Sequence, residues 1–397
     1  MKIDCLIIGG GIAGLWTLSI LRKAGFNARL VENHEVGGGQ SIASQGIIHG
    51  GTKYALGGKL GDSARAIGDM PAIWNACLKG DGEIDLSNVE VHTRAQLMWS
   101  TRSVASKVAG FFADKLMQSR MQKLDKQRLP EPFDNPAFQG DVYQLNEPVL
   151  NTASLMSALF KQLEQYCLAG TARLNPTEPN SVEIAHPEQT DEVLKLHIQQ
   201  LILSAGEGNE KLLEQLQFSK PVMQRRPIHM VVVRSRSLPS IFAHCLGAGT
   251  TPRLTITTTT DNGYTFWYIG GGIAETGVTR QADEQIQACR NELQSVLPWL
   301  DFTQCQWSTL LIDRAEISTV GNKRPDSSFV GTEKNVMTVW PTKLAFAPKV
   351  AASVLEKLAA SGISPGTTVQ DTLTQLQSWP RPGVAKWPWL QTTWKSL

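Results

Sequence analysis

Apolar residues near the start of the chain form first a strand pattern and then a helix pattern. A nearly continuous apolar run over residues 3–8 is typical of a strand buried on both faces. Leucines at helical spacing predict a helix over residues 13–24, and a second apolar run predicts a strand over residues 27–31 that Glu32 follows directly. The chain therefore opens with a predicted β-α-β unit.

Similar patterns recur further along the chain. Apolar runs predict more strands over residues 200–204, 228–233, 253–259 and 264–269. Helical periodicity predicts helices over residues 103–128, 281–297 and 350–359. The first of these helices is basic, because residues 102–128 hold seven Lys or Arg and two Asp.

Composition narrows the class of protein. A chain of 397 residues can form two domains, and a net charge of +2 gives no general attraction to nucleic acid. Its six cysteines include no C-x-x-C pair, which favours reduced thiols and a cytoplasmic location. We find neither a signal peptide nor an uninterrupted run of 18 apolar residues that would span a membrane.

The turn after the first strand carries the motif G-x-G-x-x-G over residues 9–14. In a β-α-β unit this motif lets a pyrophosphate approach the start of the helix, and an acid after the second strand binds ribose hydroxyls. That acid also disfavours the 2′-phosphate of NADP. The dinucleotide-binding residues predicted from this unit are Gly9, Gly11, Ile12, Ala13, Gly14 and Glu32.

Three further segments distinguish FAD from NAD. The first, residues 37–51, is small and polar and contains Ser44-Gln45-Gly46-Ile47-Ile48-His49-Gly50-Gly51. With this segment the chain resembles the D-amino-acid oxidase superfamily, and within it the 2-hydroxyglutarate oxidase and glycerol-3-phosphate dehydrogenase branches. The second segment, residues 200–208, resembles the strand that returns to the flavin, and the third, residues 339–348, precedes a helix at the flavin edge. At the third the family has a Gly-rich loop, whereas this chain has Trp-Pro-Thr-Lys.

The resemblance implies FAD as the cofactor and a fold in two parts. Further FAD contacts implied by it are Gln40, Ser41, Ser44, Gln45, Gly46, Ala205, Gly206, Thr342, Lys343 and Leu344. The implied fold class is α/β, with a discontinuous Rossmann-like FAD-binding domain and a β-rich, α+β substrate domain. The FAD-binding domain would comprise residues 1–75, 150–212 and 315–397, and the substrate domain residues 76–149 and 213–314.

A second glycine-rich turn, Gly270-Gly271-Gly272-Ile273-Ala274-Glu275, nearly repeats the first one. Glu275 stands where the third glycine belongs, and no strand with a terminal acid follows at the proper distance. This turn is therefore predicted to belong to the substrate domain and not to a second nucleotide site.

Candidate catalytic residues lie beside these segments. His49 could be a base, a substrate contact, a covalent link to the flavin or a structural histidine, and Lys343 could face the flavin or oxygen. The resemblance also places residues 223–230 near the active site. The remaining candidates for binding an anionic substrate there are Arg225, Arg226, His229, Arg314 and Arg324.

The predicted function is that of an FAD-dependent dehydrogenase or oxidase. It would move a hydride from a small anionic 2-hydroxy acid, amino acid or polyol phosphate to flavin N5, with oxygen or quinone as the electron acceptor. One alternative is amine oxidation of the sarcosine or D-amino-acid oxidase type. Another is a flavoprotein docked on a partner or on the inner face of the membrane through the basic helix and the tail tryptophans Trp379, Trp387, Trp389 and Trp394.

Overall fold

A computed structural model describes residues 1–51, 67–102, 121–189, 191–247, 249, 251–366 and 376–396. Two large sheets organise this part of the chain. Its helices are α1 (Ile12–Lys23), α2 (Met70–Leu78), α3 (Thr152–Leu163), α4 (Asn209–Gln215), α5 (Gly272–Thr276), α6 (Ala282–Val296) and α7 (Ala347–Ala360). None of these described helices is both long and apolar enough to cross a membrane.

The first sheet has eight strands. These are β1 (Lys2–Ile8), β2 (Ala28–Glu32), β9 (Cys167–Ala169), β10 (Thr171–Leu174), β11 (Ser181–Ala185), β12 (Val193–Leu203), β18 (Phe329–Glu333) and β19 (Val336–Trp340). Their order is β10-β11-β12-β1-β2-β9, and β19 pairs with the last residues of β12 and with β18. Strands β1, β2, β9, β12 and β19 run parallel, so their carboxyl ends meet at one edge of the sheet.

The second sheet has nine strands in the order β21-β17-β13-β16-β15-β14-β5-β7-β6. Its strands are β5 (Gln96–Trp99), β6 (Met121–Lys123), β7 (Val142–Leu145), β13 (Met223–Ser235), β14 (Ala243–Cys245), β15 (Leu254–Asp261), β16 (Tyr264–Gly270), β17 (Gln306–Ile317) and β21 (Lys395–Ser396). Two short pairs complete the described strands: β3 (Glu35–Val36) with β20 (Gly383–Val384), and β4 (Val91–Thr93) with β8 (Val149–Leu150).

The predicted β-α-β unit at the start of the chain is confirmed. Helix α1 begins one residue earlier than expected, and its apolar face packs against α3 and α7 in a core that contains Leu15, Trp16 and Leu18. This core covers one face of the first sheet. A second apolar cluster, which includes Leu6, Leu201 and Trp340, covers the other face, and this explains why the central strands are apolar throughout.

The predicted helix over residues 103–128 does not extend through its last part. Residues 103–120 lie outside the described part of the chain, and Met121–Lys123 form the edge strand β6, paired antiparallel with β7. Helical spacing was misleading here, because Met121 is buried by strand pairing and Leu124 packs on the core of the second sheet.

The glycine-rich turn after β16 joins the second sheet to a short helix, and its assignment to the substrate domain stays a prediction. Gly271 has a φ of +88° and lies against the backbone between Pro252 and Thr255. Helix α5 that follows has five residues, and the predicted helix over residues 281–297 is present as α6.

The predicted domain boundaries remain a prediction, and main-chain structure connects the two sides of one of them. Strand β17 passes through the boundary between residues 314 and 315 without interruption. Strand β21, in the segment 315–397 assigned to the FAD-binding domain, pairs with β17 of the second sheet. Main-chain pairing and aromatic packing therefore attach the tail to both sheets.

That tail packs on the body of the protein. The Trp389 ring lies 4.8 Å from the Tyr268 ring between centroids, and Trp389 is 3% exposed. The Trp394 ring packs edge-to-face with Phe266, while Trp379 donates its indole N–H to the carbonyl of Ala169. The described structure therefore turns these tryptophans inward, and docking on a membrane through them stays a prediction without a contact that supports it.

Candidate active site

The carboxyl ends of β1 and β12 lie in direct contact at the first glycine of the motif. Gly9 has a φ of +108°, and a Cβ added there would lie 2.6 Å from Cα of Ala205 and from the carbonyl of Ser204. A Cβ on Gly14 would lie 2.0 Å from the carbonyl oxygen of Gly9. Glycine is therefore required at both positions, because only a missing side chain lets the turn, the helix and the returning strand approach this closely.

The start of α1 is open toward this edge of the sheet. Its N-cap residue, Gly11, supplies no capping side chain, and the backbone N–H of Ile12 donates to Oγ of Ser41 at 3.0 Å. The N–H groups of Ala13 and Gly14 belong to the same first turn, where the helix dipole favours a negative charge. The arrangement fits a pyrophosphate.

Glu32 is held at the end of β2 by two backbone groups. Its Oε2 accepts from the N–H of Gly10 at 2.6 Å, and its Oε1 accepts from the N–H of His34 at 2.9 Å. A carboxylate oxygen can accept more than one hydrogen bond, so Glu32 keeps the capacity to accept from ribose hydroxyls. The predicted acid is thus placed beside the glycine turn.

The segment after β12 is joined to β19. Asn209 accepts from the N–H of Ala205 at 2.8 Å and donates to the carbonyl of Val339 at 3.1 Å. The Trp340 indole donates to the carbonyl of Gly206 at 2.9 Å, and a Cβ on Gly206 would come within 3.6 Å of Nε2 of Gln40. Three of the segments predicted to contact FAD therefore converge at one edge of the sheet.

The third segment enters its helix through an extra turn. Thr342 has a φ of +61°, Lys343 is extended, and a 3-10 turn over Leu344–Phe346 precedes α7. Helix α7 begins at Ala347, three residues before the predicted helix, with a proline in its first turn. Thr342, Lys343 and Leu344 consequently face the cavity described next, ahead of the α-helix proper.

A cavity of about 490 Å³ lies between the edge of the first sheet and one face of the second. The first sheet and the segments at its edge contribute residues 43–47, His49 and residues 342–344. The second sheet and its loops contribute residues of β13, β17 and the turn after β16. Its size is in the range of small-molecule sites, and both halves of the described fold line it.

The polar segment 43–46 is fixed to the second sheet. Nε2 of Gln45 donates to the carbonyls of Thr255 and Tyr268, at 2.9 Å each. The Tyr268 hydroxyl in turn donates to the carbonyl of Ala43 at 3.0 Å, and burial raises the pKa of Tyr268. The amide N–H groups of Gln45 thus bind backbone carbonyls of the second sheet, and these bonds position the cavity wall.

A cluster of charged side chains lines one region of the cavity, and we call it the cationic cluster. Its members are Arg226, Arg314, Arg324, Lys343, Glu275 and Glu316. The Arg226 guanidinium donates to both carboxylate oxygens of Glu316, at 2.8 and 3.1 Å, and the Glu316 side chain is 1% exposed. This bidentate pair neutralises two of the six charges.

The other two arginines of the cluster both contact Glu275. Arg314 donates through Nε to the carbonyl of Arg226 at 2.9 Å, and its Nη1 lies 3.8 Å from Oε1 of Glu275. Arg324 reaches the same oxygen at 3.5 Å. Burial, followed by the positive charges of Arg226 and Arg324, lowers the pKa of Arg314 to about 10. Arg314 therefore lies close to two like charges in this cluster.

The side-chain amine of Lys343 has a pKa far below its usual value. Burial, followed by the charge of Arg324, lowers its pKa to about 7, while Asp326 and Glu316 oppose this effect. Its ammonium is therefore poised to lose its proton near neutral pH.

His49 borders the cavity and is held from behind by a carboxylate. Its Nδ1 lies 3.2 Å from Oε2 of Glu147, and Oε1 of Glu147 accepts the N–H of Gly50 at 2.8 Å. The Glu147 side chain is 2% exposed and that of His49 is 13% exposed. A histidine oriented by a buried carboxylate is an arrangement suited to proton transfer.

Two of the predicted substrate contacts do not reach the cavity. Successive residues of β13 point to opposite faces, so Arg226, Ile228 and Met230 line the cavity while His229 faces the other way. The Nδ1 of His229 lies 3.0 Å from the carbonyl of Gly277 in the packing of α5 and α6. Arg225 is exposed and contacts a set of surface carboxylates, Glu207, Glu210 and Asp313.

Several functional residues carried little signal in the sequence. Glu147 and Glu316 belong to no recognised motif and lie 98 and 90 residues from the side chains they contact. Glu275 did carry a signal, because it replaces the last glycine of the second turn. In the structure, the Glu275 carboxylate contacts Arg314 and Arg324 of the cationic cluster.

Comparisons with known proteins agree with this arrangement. The family model for FAD dependent oxidoreductases (DAO) matches residues 4–333. A probable FAD-dependent oxidoreductase of Pseudomonas aeruginosa, PA4991, is 44% identical over 391 residues, which is 98% of each chain. Its crystal structure covers 98% of both chains with a TM-score of 0.83 and 39% identity.

More distant structures share the fold. Glycine oxidase from Geobacillus kaustophilus matches with a TM-score of 0.65 and 13% identity, over 93% of this chain and 99% of that one. An L-α-glycerophosphate oxidase from Mycoplasma pneumoniae with FAD bound matches with a TM-score of 0.61 and 13% identity, over 98% of this chain and 97% of that one.

Proposed function

Because the chain belongs to the FAD dependent oxidoreductase (DAO) family, we propose that it oxidises a small carboxylate that carries an amino or hydroxyl group on its α-carbon. The chain is an oxidoreductase enzyme, and the predicted FAD cofactor is confirmed by its family. Bound FAD supplies the hydride acceptor for such a reaction. The protein's own residues then have to bind the substrate, orient it and take up a proton.

The cationic cluster is the observation that carries this proposal. Three arginines and Lys343 line the cavity there beside Glu275 and Glu316, and Nη1 of the half-buried Arg314 lies 3.8 Å from Oε1 of Glu275. A substrate carboxylate would offset the burial and the like charges of Arg226 and Arg324, which together lower the pKa of Arg314. We therefore assign anion binding to Arg314, together with Arg324.

Arg226 has a different proposed role. One edge of its guanidinium, Nε and Nη2, is bonded to Glu316, and its backbone carbonyl accepts from Nε of Arg314, so we assign it the positioning of Arg314. Lys343, with a pKa of about 7, could exchange a proton at the edge of the same cavity. His49, oriented by Glu147, is the proposed acceptor of the substrate's hydroxyl or amine proton.

The proposed cofactor contacts are those of the converging segments. The start of α1 and Ser41 would hold the pyrophosphate, and Glu32 the ribose. Segments 43–46 and 342–344 border the cavity and would hold the flavin there. Gly9 and Gly14 support these contacts, because a larger residue at either place would separate the turn from its neighbours.

Anaerobic bleaching of the flavin tests the substrate class. We would mix the holoenzyme with panels of amino acids, 2-hydroxy acids and polyol phosphates and follow flavin absorbance. Bleaching by an amino acid or by a hydroxy acid identifies the amine-oxidising or alcohol-oxidising form of the proposal. Bleaching by polyol phosphates alone contradicts a carboxylate substrate, and readmitting air then shows whether oxygen is the electron acceptor.

Matched arginine variants test the binding residue. Arg314→Gln removes a charge-assisted contact worth about 1.5–3 kcal/mol, so we expect binding of the reactive carboxylate to weaken by about 10- to 100-fold. Arg225→Gln removes an exposed arginine from the neighbouring face of β13 and should change binding by less than about twofold. Equal effects of the two variants would refute the assignment.

A further inference from the structure

Two histidines and a glutamate meet behind the cavity wall. His49 follows the polar segment, Glu147 lies in the turn between β7 and β8, and His244 belongs to β14. One ligand atom from each of these side chains lies within 4.8 Å of the others. We propose that His49, Glu147 and His244 form a binding site for a divalent transition-metal ion, with Zn²⁺ as the reference metal.

The spacing is close to that of a preformed site. Metal bonds of about 2.0–2.2 Å to imidazole nitrogen and carboxylate oxygen separate tetrahedral ligand atoms by about 3.3 Å. Nδ1 of His49 and Oε2 of Glu147 are already 3.2 Å apart. Closing the remaining separations requires side-chain shifts of at most about 1.5 Å, which rotation about the side-chain bonds can supply.

Neighbouring groups already orient two of the three ligands. Nδ1 of His244 lies 2.8 Å from Oγ1 of Thr255, and this contact turns the opposite ring nitrogen away from Thr255. The N–H of Gly50 donates to Oε1 of Glu147 at 2.8 Å and thereby fixes the plane of the carboxylate. Contacts of this kind fix the ring orientation and raise the affinity of protein ligands for metals.

Burial favours binding by the whole set. His244 is 0% exposed and Glu147 is 2% exposed, so a positive charge beside this carboxylate is weakly screened by water. The rings of His49 and His244 lie 5.9 Å apart between centroids and are stacked at 25°, which puts both beside the same carboxylate. A divalent ion supplies this charge to both histidines and the carboxylate at once.

The donor set indicates the class of metal. Two imidazoles and one carboxylate are typical of zinc and of first-row transition metals, and are a poor set for Ca²⁺ or Mg²⁺, which prefer oxygen. Three protein ligands leave a coordination position for water or for a molecule in the cavity, which His49 borders. Because a metal-bound nitrogen cannot take up a proton, metal binding and proton acceptance at that nitrogen exclude each other.

Metal binding can be tested without knowing the substrate. The FAD-loaded enzyme is treated with a chelator, dialysed and titrated with Co²⁺, whose visible absorption reports nitrogen and oxygen ligation, and Zn²⁺ content is measured by elemental analysis. We expect one ion per chain at about pH 7.5 and weaker binding at about pH 5.5, because imidazole binds metals in its neutral form. Mg²⁺ at the same concentration should not compete.

Variants of the proposed ligands distinguish metal binding at this site from adventitious metal binding at surface histidines. His244→Gln and Glu147→Gln should each weaken Co²⁺ binding at least about tenfold, whereas His197→Ala, at an exposed histidine of β12, should leave it unchanged. An unchanged flavin spectrum confirms that each variant is folded. Glu147→Asp, which keeps the carboxylate, should retain part of the affinity.

Two results would overturn the proposal. One is a wild-type enzyme that takes up less than about 0.2 Co²⁺ or Zn²⁺ per chain at millimolar metal. The other is stoichiometric binding that survives His244→Gln and Glu147→Gln in folded protein. If both variants lose their flavin, the thermal midpoint of the wild-type enzyme is compared in Zn²⁺ and in Mg²⁺. A higher midpoint in Zn²⁺ supports the site, and equal midpoints refute it.

Discussion

Replacing Glu316 with glutamine isolates the buried ion pair of the cationic cluster. The variant keeps the size of the side chain and removes the charge that Arg226 contacts through two hydrogen bonds of 2.8 and 3.1 Å. Since the Glu316 side chain is 1% exposed and that of Arg226 is 17% exposed, water cannot replace the lost carboxylate fully. Breaking one partner of such a pair costs about 3–5 kcal/mol of unfolding free energy.

The size of the protein converts this cost into a modest temperature shift. Unfolding entropies of about 2.1 cal/mol/K per residue give about 0.8 kcal/mol/K for a chain of 397 residues. The thermal midpoint of Glu316→Gln should therefore fall by about 4–6 °C. Asp313→Asn is the matched control, because Asp313 lies on the same strand but pairs with the exposed Arg225, and its midpoint should fall by about 1 °C or less.

Thermal unfolding of the FAD-loaded variants, followed by circular dichroism and flavin fluorescence, measures both shifts. The double variant Arg226→Met with Glu316→Leu should recover most of the lost stability, because no buried charge is then left without a partner. A midpoint for Glu316→Gln that matches Asp313→Asn would refute the reasoning. The reasoning would also be refuted if the double variant lost as much unfolding free energy as the single variants Arg226→Met and Glu316→Leu lose together.

Three other changes have expected outcomes. Gly9→Ala should abolish stable FAD binding, seen as colourless purified protein, because its Cβ would lie 2.6 Å from Cα of Ala205 and φ is +108°. Retention of yellow colour would contradict the close approach. In the wild type, flavin absorbance should change with pH around a midpoint near 7, since Lys343 is charged below its pKa of about 7 and neutral above it. Lys343→Met should remove this transition. A transition that persists in the variant would belong to another group. Trp389→Ala, which empties a site 3% exposed beside Tyr268, should cost about 3–5 kcal/mol and lower the thermal midpoint by about 4–6 °C, and an unchanged midpoint would argue against the packed tail.

The cofactor half of the site could be predicted from the sequence because its requirements are local. The tight turn, the close packing and the helix start all fall within residues 9–14, and Glu32 follows at the end of the next strand. The same reasoning predicted no nucleotide site at the second glycine-rich turn, because Glu275 replaces the third glycine and no strand with a terminal acid follows. Structural requirements between residues that are close in the sequence produce a motif with fixed spacing, and such a motif can be recognised from the sequence alone.

The substrate half depends on contacts that sequence spacing does not encode. Arg226 and His229 lie on one strand, where the pleat turns the Arg226 side chain to the cavity and the His229 side chain to the carbonyl of Gly277. Nothing local indicates that Glu316 and Glu147 hold Arg226 and His49, because strand pairing and turns bring them together across about 90 residues or more. The helix predicted over residues 103–128 was wrong in its last part for the same reason, since pairing with β7 outweighs local periodicity.

The attachment of the tail sets an order for folding during synthesis. Residues 383–384 pair with β3 and residues 395–396 pair with β17, so late-made residues connect elements that leave the ribosome much earlier. At about 5–20 residues per second, the strands of both sheets are exposed for seconds before these pairs can form. The aromatic surface around Tyr268, which Trp389 covers, therefore stays accessible to chaperones until this last docking step.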